Sequence, residues 1–284
     1  MRLVNIQPVR NEAWCLGLTA RALLRWCDDA VFLLHACTDA SESILEAIAD
    51  EYPGRVHVIH ESETVWREMH HRQRLLEYAR CLGATHISVV DADEIISGDT
   101  LPTMRDHVAK LAPKQFAAIK FRNIIDGLHQ YRAERGPWGT DAGTIVSFAD
   151  HGRLCWEARN GYDHHQRSPY GASQASYIQG GGLLHLQFAS RRRLLAKHAL
   201  YKASERVKYP NKSIRDIDAL YNMAPSLGGI NRQPTPPEWW APYDDLMQHC
   251  DVDAEPWQEQ ATRDLVAEHG AAKFSGLDLF GVAQ

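Results

Sequence analysis

The sequence predicts an α/β fold: a mostly parallel central sheet flanked by helices, followed by a mainly helical or irregular C-terminal extension. Apolar runs of strand length alternate with amphipathic helical patterns from the first residues onward, which is typical of a parallel sheet covered on both faces. The 284 residues are enough for one large α/β domain with an accessory segment, or for two small domains. From about residue 209 the pattern becomes loop-like, with the clearest break at "QPTPPEWWAPY".

The individual elements follow from the spacing of apolar residues along the chain. "LVNIQPV" at 3–9 is a buried strand, and the residues after it carry apolar side chains at helical spacing. Two more strand–helix pairs follow before the strand "HISVVD" at 86–91, and the later segments are less regular. The predicted strands lie at 3–9, 30–37, 55–59, 86–91, 116–125, 143–149, 152–158 and 180–188, and the predicted helices at 10–26, 38–52, 65–84, 100–111, 190–207 and 255–270.

Composition and charge restrict the class of protein. The content of 44% hydrophobic and 24% charged residues is that of an ordinary globular protein, and the net charge of -5 argues against a general nucleic-acid scaffold. The six cysteines are scattered without a C-x-x-C pair, so no zinc ribbon or redox motif is predicted. The N-terminus lacks the apolar core of a signal peptide, and no apolar run approaches the roughly 20 residues that cross a bilayer. The predicted location is cytoplasmic.

Three acids, Asp91, Asp93 and Glu94, follow the apolar strand in "HISVVDADEIIS". In parallel sheets, ligands bind beyond the carboxyl ends of the strands, which is where this cluster lies. Asp91 and Asp93 are two residues apart and point the same way on an extended chain. Their repulsion can be offset by a hard divalent cation, a basic partner or a shared proton. Alternatively each acid points to water, because D-x-D sequences are frequent on surfaces.

At these residues the sequence resembles the family 2 glycosyltransferases, which have the nucleotide-diphosphosugar transferase (GT-A) fold. "NIQPVRNEAW", "CTDASESI" and "GATHISVVDADEIIS" carry the resemblance, and "LLHLQFASRRRLLAKHALYK" extends it more loosely, so that it covers about two thirds of the chain. It implies a Rossmann-like sheet and a metal-dependent, hexosyltransferase-like enzyme. Such an enzyme transfers a sugar from a nucleotide diphosphosugar, with a UDP-sugar favoured, to an acceptor hydroxyl with inversion.

The resemblance also implies a D-x-D metal site that holds Mn²⁺ or Mg²⁺. Asp93 would coordinate the metal beside the donor diphosphate, and Asp91 would approach the ribose or share the metal through water. His185, at the end of a strand preceded by three glycines, looks like the third ligand of such sites. Because the chain has 15 histidines, an ordinary core or surface histidine is the alternative.

The donor nucleotide is expected to contact the residues that follow the first two strands. The resemblance implies that Pro8, Arg10 and Glu12 line the base pocket, although Glu12 also suits a helix N-terminus. Many relatives carry an aspartate at the end of the second strand. This chain has His35 there and Asp39 as the nearest acid, so the identity of the nucleotide is left open.

Further donor-binding residues are expected on two helices and in the D-x-D motif. Arg72 lies on the helix before the acid cluster, with a surface arginine as the alternative, and Ala92 lies between the two aspartates. On the basic helix at 190–208, Lys197 and Tyr201 are expected near the leaving diphosphate. The outer arginines of this helix form a solvated face or contact an anionic membrane or nucleic acid.

An inverting transferase needs a carboxylate that deprotonates the acceptor hydroxyl. The polar and aromatic stretch "CWEARNGYDHHQRSPYG" offers Asp163 first and Glu157 second. The alternative is that either acid pairs with Arg159 or Arg167.

These expectations divide the chain into a glycosyltransferase domain at 1–208 and an extension at 209–284. Residues 1–99 would bind the nucleotide sugar, and residues 100–208 would bind the acceptor and complete the metal site. The acceptor is left open among a glycan, a lipid-linked sugar, a protein and a modified DNA base. Two alternative functions are a non-catalytic nucleotide-sugar-binding protein and a nucleotidyltransferase, whose Gly-rich loop is missing from "PVRNEAW".

Overall fold

The computed structural model describes residues 1–136, 138–156, 166–222 and 229–282. The chain forms two compact units, each built from three separate segments. The first unit consists of Met1–Arg122, Thr140–His185 and Thr235–Asp251, and the second of Asn123–Gly139, Leu186–Pro234 and Val252–Gln284. The expected division of roles between 1–208 and 209–284 concerns function and stays a prediction.

Strands and α-helices alternate through the first hundred residues, as predicted. The strands are β1 (Leu3–Val9), β2 (Asp29–His35), β3 (Val56–Glu61), β4 (His86–Ser88), β5 (Glu94–Ile96), β6 (Phe116–Ile125), β7 (Gln130–Arg132), β8 (Gly143–Ala149), β9 (Ala175–Tyr177), β10 (Leu183–Phe188) and β11 (Arg232–Pro234). The α-helices are α1 (Ala13–Leu23), α2 (Ser41–Glu51), α3 (Glu68–Cys81), α4 (Leu101–Ala109), α5 (Arg191–Lys208), α6 (Ile214–Asn222) and α7 (Trp257–His269). Short 3₁₀ helices lie at Pro237–Trp239, Ala241–His249 and Ala271–Phe274.

The first unit contains a central sheet with helices on both faces. Its strands run in the order β3-β2-β1-β4-β8-β6, with the first four parallel and the pairs of β8 with β4 and β6 antiparallel. On one face Leu16 of α1 packs with Phe32 of β2, and on the other Leu75 of α3 packs with Leu33. The predicted α/β class with a mostly parallel sheet is therefore confirmed.

Strand β4 is shorter than the predicted strand at 86–91. Beyond it, two polar side chains of β1 form the hydrogen bonds to the backbone that pairing between strands would otherwise provide. The side chain of Asn5 accepts a hydrogen bond from the Val90 N–H at 3.1 Å and donates to the Val90 carbonyl at 3.3 Å. Gln7 donates to the same carbonyl at 3.1 Å. Both side chains are fully buried. The chain therefore leaves the sheet at Val89 while its backbone polar groups stay satisfied.

Two later predictions differ from the structure. Helix α6 lies in the stretch predicted to be loop-like. Ile214, Ile217 and Leu220 recur there at helical spacing, and Ile217 is the one fully buried residue of the helix among those described. The strand expected at 152–158 is, over its described residues, an isolated bridge between Cys155 and Tyr170.

The second unit is built around α5, which packs against α6 and α7. The fully buried Lys202 joins α5 to α6 and to the segment at Asp278, since its Nζ lies 2.9 Å from the Asp218 carboxylate and donates to Asn222 and to the Asp278 carbonyl, both at 2.6 Å. A buried ammonium is tolerated only when it is paired and hydrogen-bonded in this way. Lys202 is therefore a structural residue of this unit.

The other cations of α5 are also largely used inside the unit. Arg192 forms two hydrogen bonds with Glu259, at 2.7 and 2.9 Å, and the buried Arg193 donates to the Ala254 carbonyl at 2.7 Å. These pairs leave less of a basic face than the sequence of the helix suggests. The expected contact of this helix with a charged surface stays a prediction. In the part of the chain that the structure describes, no helix combines the length and apolarity needed to span a membrane.

The stability of the protein is expected to fall as the pH drops from about 6.5 towards 4, because of His198. Burial lowers the pKa of His198 to about 4, and its Nδ1 donates to the Tyr221 carbonyl at 2.6 Å, so the folded state holds the neutral ring. The unfolded chain binds a proton near pH 6.5, so the stabilisation is complete above that pH and is lost on acidification. The expected loss is up to about 3 kcal/mol.

This prediction is checked by urea denaturation at pH 7 and pH 5 of the wild type and of His198→Asn, which keeps a donor for Tyr221. The variant should lose clearly less free energy of unfolding between the two pH values. Equal losses in the two proteins would show that His198 does not contribute to the pH dependence.

Candidate functional site

The three acids lie in a tight turn, residues 91–94, which we call the acid turn. The Asp91 N–H donates to the Glu94 carboxylate at 2.8 Å, and the Glu94 N–H donates to the Asp91 carbonyl at 3.1 Å. Helix α1 holds the turn from one side, because Thr19 donates to the Ala92 carbonyl at 2.8 Å. The buried Ala92 is therefore a fixed backbone position, and the acids on either side of it have defined directions.

Arg72 of α3 lies between two carboxylates and binds one side of the acid turn. Its guanidinium group donates to Glu68 at 3.0 Å and to Asp91 at 3.1 Å. The Arg72 side chain is 3% exposed, so the surface position considered as an alternative for this residue is wrong. Asp91 thus has a basic partner, one of the three predicted ways to offset the repulsion between the acids.

Arg167 binds the acid turn from a second direction. It donates to Glu94 through both terminal nitrogens, at 2.8 Å through Nη1, and to Asp91 at 3.1 Å through Nη2. Nη2 also donates to the Val89 carbonyl at 3.1 Å. Glu94 is 2% exposed, and burial raises the pKa of its carboxyl group while the ion pair with Arg167 opposes that shift. Asp91 is therefore paired with Arg72 and Arg167, and Glu94 is paired with Arg167.

Asp93 is directed to a different partner. Its Oδ2 lies 3.4 Å from Nε2 of His185 on β10, and the two side chains are 13% and 11% exposed. The His185 ring stacks on Phe121, with the ring centroids 4.8 Å apart. The structure thus brings Asp93 and His185 together and places Asp91 against two arginines, and the metal-binding roles that the resemblance implies for these three residues stay predictions.

The donor set of Asp93 and His185 fits a divalent cation that is completed by phosphate oxygens and water. Mg²⁺ and Mn²⁺ are commonly held by one or two protein ligands together with substrate phosphates. Over the described residues, no group of three metal-ligating side chains lies together. The fit therefore depends on oxygen ligands that a bound phosphate would supply.

The loops after β1 and β2, where residues are predicted to bind the donor nucleotide, contain a network of capping hydrogen bonds. The Asp39 carboxylate accepts from the N–H groups of Ala13 and Ser41, at 2.9 and 3.0 Å, so it caps the starts of α1 and α2. Glu12 accepts from the Trp14 indole at 2.6 Å. Asn11, with a φ of 54°, accepts from the Thr38 N–H at 2.7 Å in a backbone region where asparagine is favoured. These acids stabilise the loops, whatever else they bind.

His35 lies at the end of β2 in a cluster of aromatic rings, where both of its ring nitrogens are used. Nη1 of Arg10 lies 3.3 Å from Nδ1 of His35, and Nε2 lies 3.2 Å from the Val65 carbonyl. Because a carbonyl oxygen accepts a hydrogen bond, Nε2 carries the proton. Burial and the nearby Arg10 lower the pKa of His35. Its ring contacts Trp66 and His71, with centroids 5.0 and 4.7 Å away. Hydrogen bonding to a nucleobase would therefore have to come from the neighbours of His35.

The roles expected of the remaining residues stay predictions. Pro8 is a buried residue of β1. Lys197 and Tyr201 belong to the second unit, where Lys197 donates to Gln187 at 3.2 Å and the Tyr201 ring lies 5.8 Å from that of Tyr221. The two candidates for the catalytic base, Asp163 and Glu157, lie outside the described residues.

Three contributors to the site were missed by sequence reasoning. Arg167 was considered only as a partner of Asp163 or Glu157, and nothing in its local sequence predicts a contact with residues 76 and 73 positions away. The sequence places Trp66 and His71 in the predicted helix at 65–84 and gives them no role in the site. The available signal is that His71 and Arg72 lie on the helix before the acid cluster. The sequence does not specify which side of that helix faces the ends of the strands.

Comparisons with known proteins give no sequence relative. No protein-family model matches the chain, and no curated protein matches it. Among solved structures, the chain is similar to S. aureus TarS, at 12% identity and a TM-score of 0.46, over 100% of this chain and 55% of that one. It is also similar to the mannosyltransferase PcManGT from Pyrobaculum calidifontis in complex with GDP-Man and Mn²⁺, at 14% identity and a TM-score of 0.42, over 96% and 74%. A third is GalNAc-T7 with UDP, GalNAc and Mn²⁺, at 11% identity and a TM-score of 0.37, over 78% and 54%. The chain thus covers about half the length of TarS and of GalNAc-T7.

Proposed function

We propose that this protein is a metal-dependent glycosyltransferase that transfers a sugar from a nucleotide diphosphosugar to an acceptor hydroxyl. The donor we favour is a UDP-sugar, and the outcome we favour is inversion. The observation that carries the proposal is the convergence of Asp93 and His185, 3.4 Å apart, beside the carboxyl ends of parallel strands β1 and β4. That edge of an α/β sheet is where ligands of this fold class bind.

The chain's own residues support distinct tasks at this edge. Asp93 and His185 would hold Mn²⁺ or Mg²⁺, which when bound neutralises the negative charge that develops on the leaving diphosphate. Arg72 and Arg167 fix the acid turn, so Asp93 keeps its direction when the donor is absent. The guanidinium group of Arg10, beside the aromatic cluster of His35 and Trp66, supplies donors for the nucleobase.

The acceptor and the general base complete the proposal. We assign proton removal from the acceptor hydroxyl to Asp163, with Glu157 second, because a carboxylate is the usual base of an inverting transfer. The acceptor is a glycan, a lipid-linked sugar, a protein or a modified DNA base. Asp163→Asn is expected to stop transfer while donor binding persists.

The proposal is tested by measuring nucleoside diphosphate release from UDP-sugars and GDP-sugars in the presence of Mn²⁺, Mg²⁺ or EDTA. We expect slow hydrolysis of at least one donor with Mn²⁺, no release in EDTA, and loss of about 100-fold in rate for His185→Ala. Asp106→Asn, on the exposed surface of α4, is the matched control that should leave the rate unchanged. Donor binding without turnover on any acceptor would instead indicate a nucleotide-sugar-binding protein.

A further inference from the structure

Arg167 has an unusual position for a residue with no role in the proposed chemistry. It contacts two of the three acids of the acid turn and leaves the third, Asp93, facing His185. Asp93 is still within electrostatic reach of the Arg167 guanidinium group. Arg167 is largely buried, and its side chain is 17% exposed. A flexible surface arginine would not hold two carboxylates in fixed directions, whereas this one does.

The contacts of Arg167 determine which acids are available to a metal. A carboxylate that accepts from two guanidinium groups, as Asp91 does from Arg72 and Arg167, has fewer lone pairs and less net charge to offer a cation. Glu94 is buried and is bound by both terminal nitrogens of Arg167. Among the contacts of the described residues, Asp93 is therefore the acid that is least neutralised by arginine.

We propose that Arg167 is a positioning residue that withholds Asp91 and Glu94 from the metal, so that metal binding depends on the donor diphosphate. The metal would have two protein ligands, Asp93 and His185, and would bind weakly until phosphate oxygens complete its shell. The positive charge of Arg167 further weakens binding of a free cation and favours the metal together with an anionic donor. This inference rests on the proposed function, because it assumes that a nucleotide diphosphosugar is the donor.

The proposal makes a prediction opposite to that of a purely structural role. Arg167→Met removes one positive charge near Asp93 and leaves Asp91 with Arg72 as its remaining described partner, so Mn²⁺ should bind the free protein more tightly. The expected gain is about three- to tenfold in affinity, from the Coulomb energy of one charge at this range. The factor by which the donor diphosphate increases the affinity for Mn²⁺ should become smaller by a similar amount. Damage to the fold would instead weaken Mn²⁺ binding with and without donor.

The experiment is a titration with Mn²⁺ followed by electron paramagnetic resonance, with and without UDP as the diphosphate probe. Arg167→Lys, which keeps the charge, should stay closer to the wild type than Arg167→Met. Arg80→Met is the matched control, because Arg80 forms a similar two-bonded pair with Asp150 away from the acid turn, and it should leave Mn²⁺ affinity unchanged.

A double variant keeps the test decisive if Arg167→Met does not fold with Glu94 left unpaired. Arg167→Met with Glu94→Gln removes both members of the buried pair, which is tolerated better than removing one. This variant removes a positive and a negative charge together, so the gain comes from Asp91, which loses Arg167 and keeps Arg72, and Mn²⁺ should bind about threefold more tightly than to the wild type. Unchanged or weaker Mn²⁺ binding in the folded variants would overturn the proposal.

The two proposals fail in different ways. If the wild type binds no Mn²⁺ even with UDP present, the proposed function is wrong and the role of Arg167 falls with it. If the wild type binds Mn²⁺ with UDP and Arg167→Met is not tightened, only the positioning role is wrong.

Discussion

Replacing Asp93 by asparagine is expected to lower the rate of Mn²⁺-dependent donor turnover by at least about 100-fold, because the site then loses the carboxylate that is proposed to bind the metal. The substitution should leave the fold intact. Asp93 is partly exposed, and the backbone of the acid turn is held by bonds that Asp93 does not make, from Thr19 to Ala92 and between Asp91 and Glu94. The measurement is nucleoside diphosphate release together with the free energy of unfolding.

The control for this change is Asp106→Asn, which removes the same charge from the exposed face of α4. It should keep the wild-type rate. A variant of Asp93 that keeps Mn²⁺-dependent turnover within a few-fold of the wild type would remove Asp93 from the metal site. The same loss in both variants would indicate a general effect of charge instead.

Replacing Arg72 by methionine is expected to cost about 3 to 5 kcal/mol of the free energy of unfolding, because it breaks a buried ion-pair network from one side. Arg72 donates to Glu68 and Asp91, and Glu68 is 7% exposed. Without Arg72, Glu68 would be a buried carboxylate that has lost its arginine, and such a group must be protonated or exposed. The measurement is urea denaturation at neutral pH.

Arg74→Met on the same helix is the matched control. Arg74 pairs with Glu61, but its side chain is 32% exposed, so the expected cost is below about 1 kcal/mol. Similar losses for the two variants would mean that burial of the network does not determine its contribution. A loss below about 1 kcal/mol for Arg72→Met would contradict the network as a structural element.

The sequence predicted the first half of the fold well, since local patterns and topology agree there. Strand β1 has the predicted bounds 3–9, and α1, α2 and α3 lie within their predicted ranges. The prediction was less accurate where side chains decide the backbone path, as at Val90, where Asn5 and Gln7 replace the ladder. Helix α6 was missed although Ile214, Ile217 and Leu220 recur at helical spacing, because the helix has only 9 residues and lies in a stretch that otherwise resembles a loop.

The proximity of Asp93 and His185 agrees with the resemblance, and their role in binding a metal stays a prediction. The end of the apolar strand located the acid turn, and the resemblance to glycosyltransferases joined Asp93 to His185. Sequence reasoning left open how the acids are neutralised, because the answer depends on Arg167, 76 residues from Asp91 along the chain. A long-range ion pair of this kind has no local periodicity that would reveal it.

The central claim is that Asp93 and His185 hold a divalent metal that binds the donor diphosphate. Isothermal titration of UDP into the protein, with Mn²⁺ and then with EDTA, tests it most directly. The account predicts UDP binding that is at least about tenfold tighter with Mn²⁺ in the wild type, and loss of that metal dependence in Asp93→Asn. Equal UDP affinity with Mn²⁺ and with EDTA, or an unchanged metal dependence in Asp93→Asn, would contradict it.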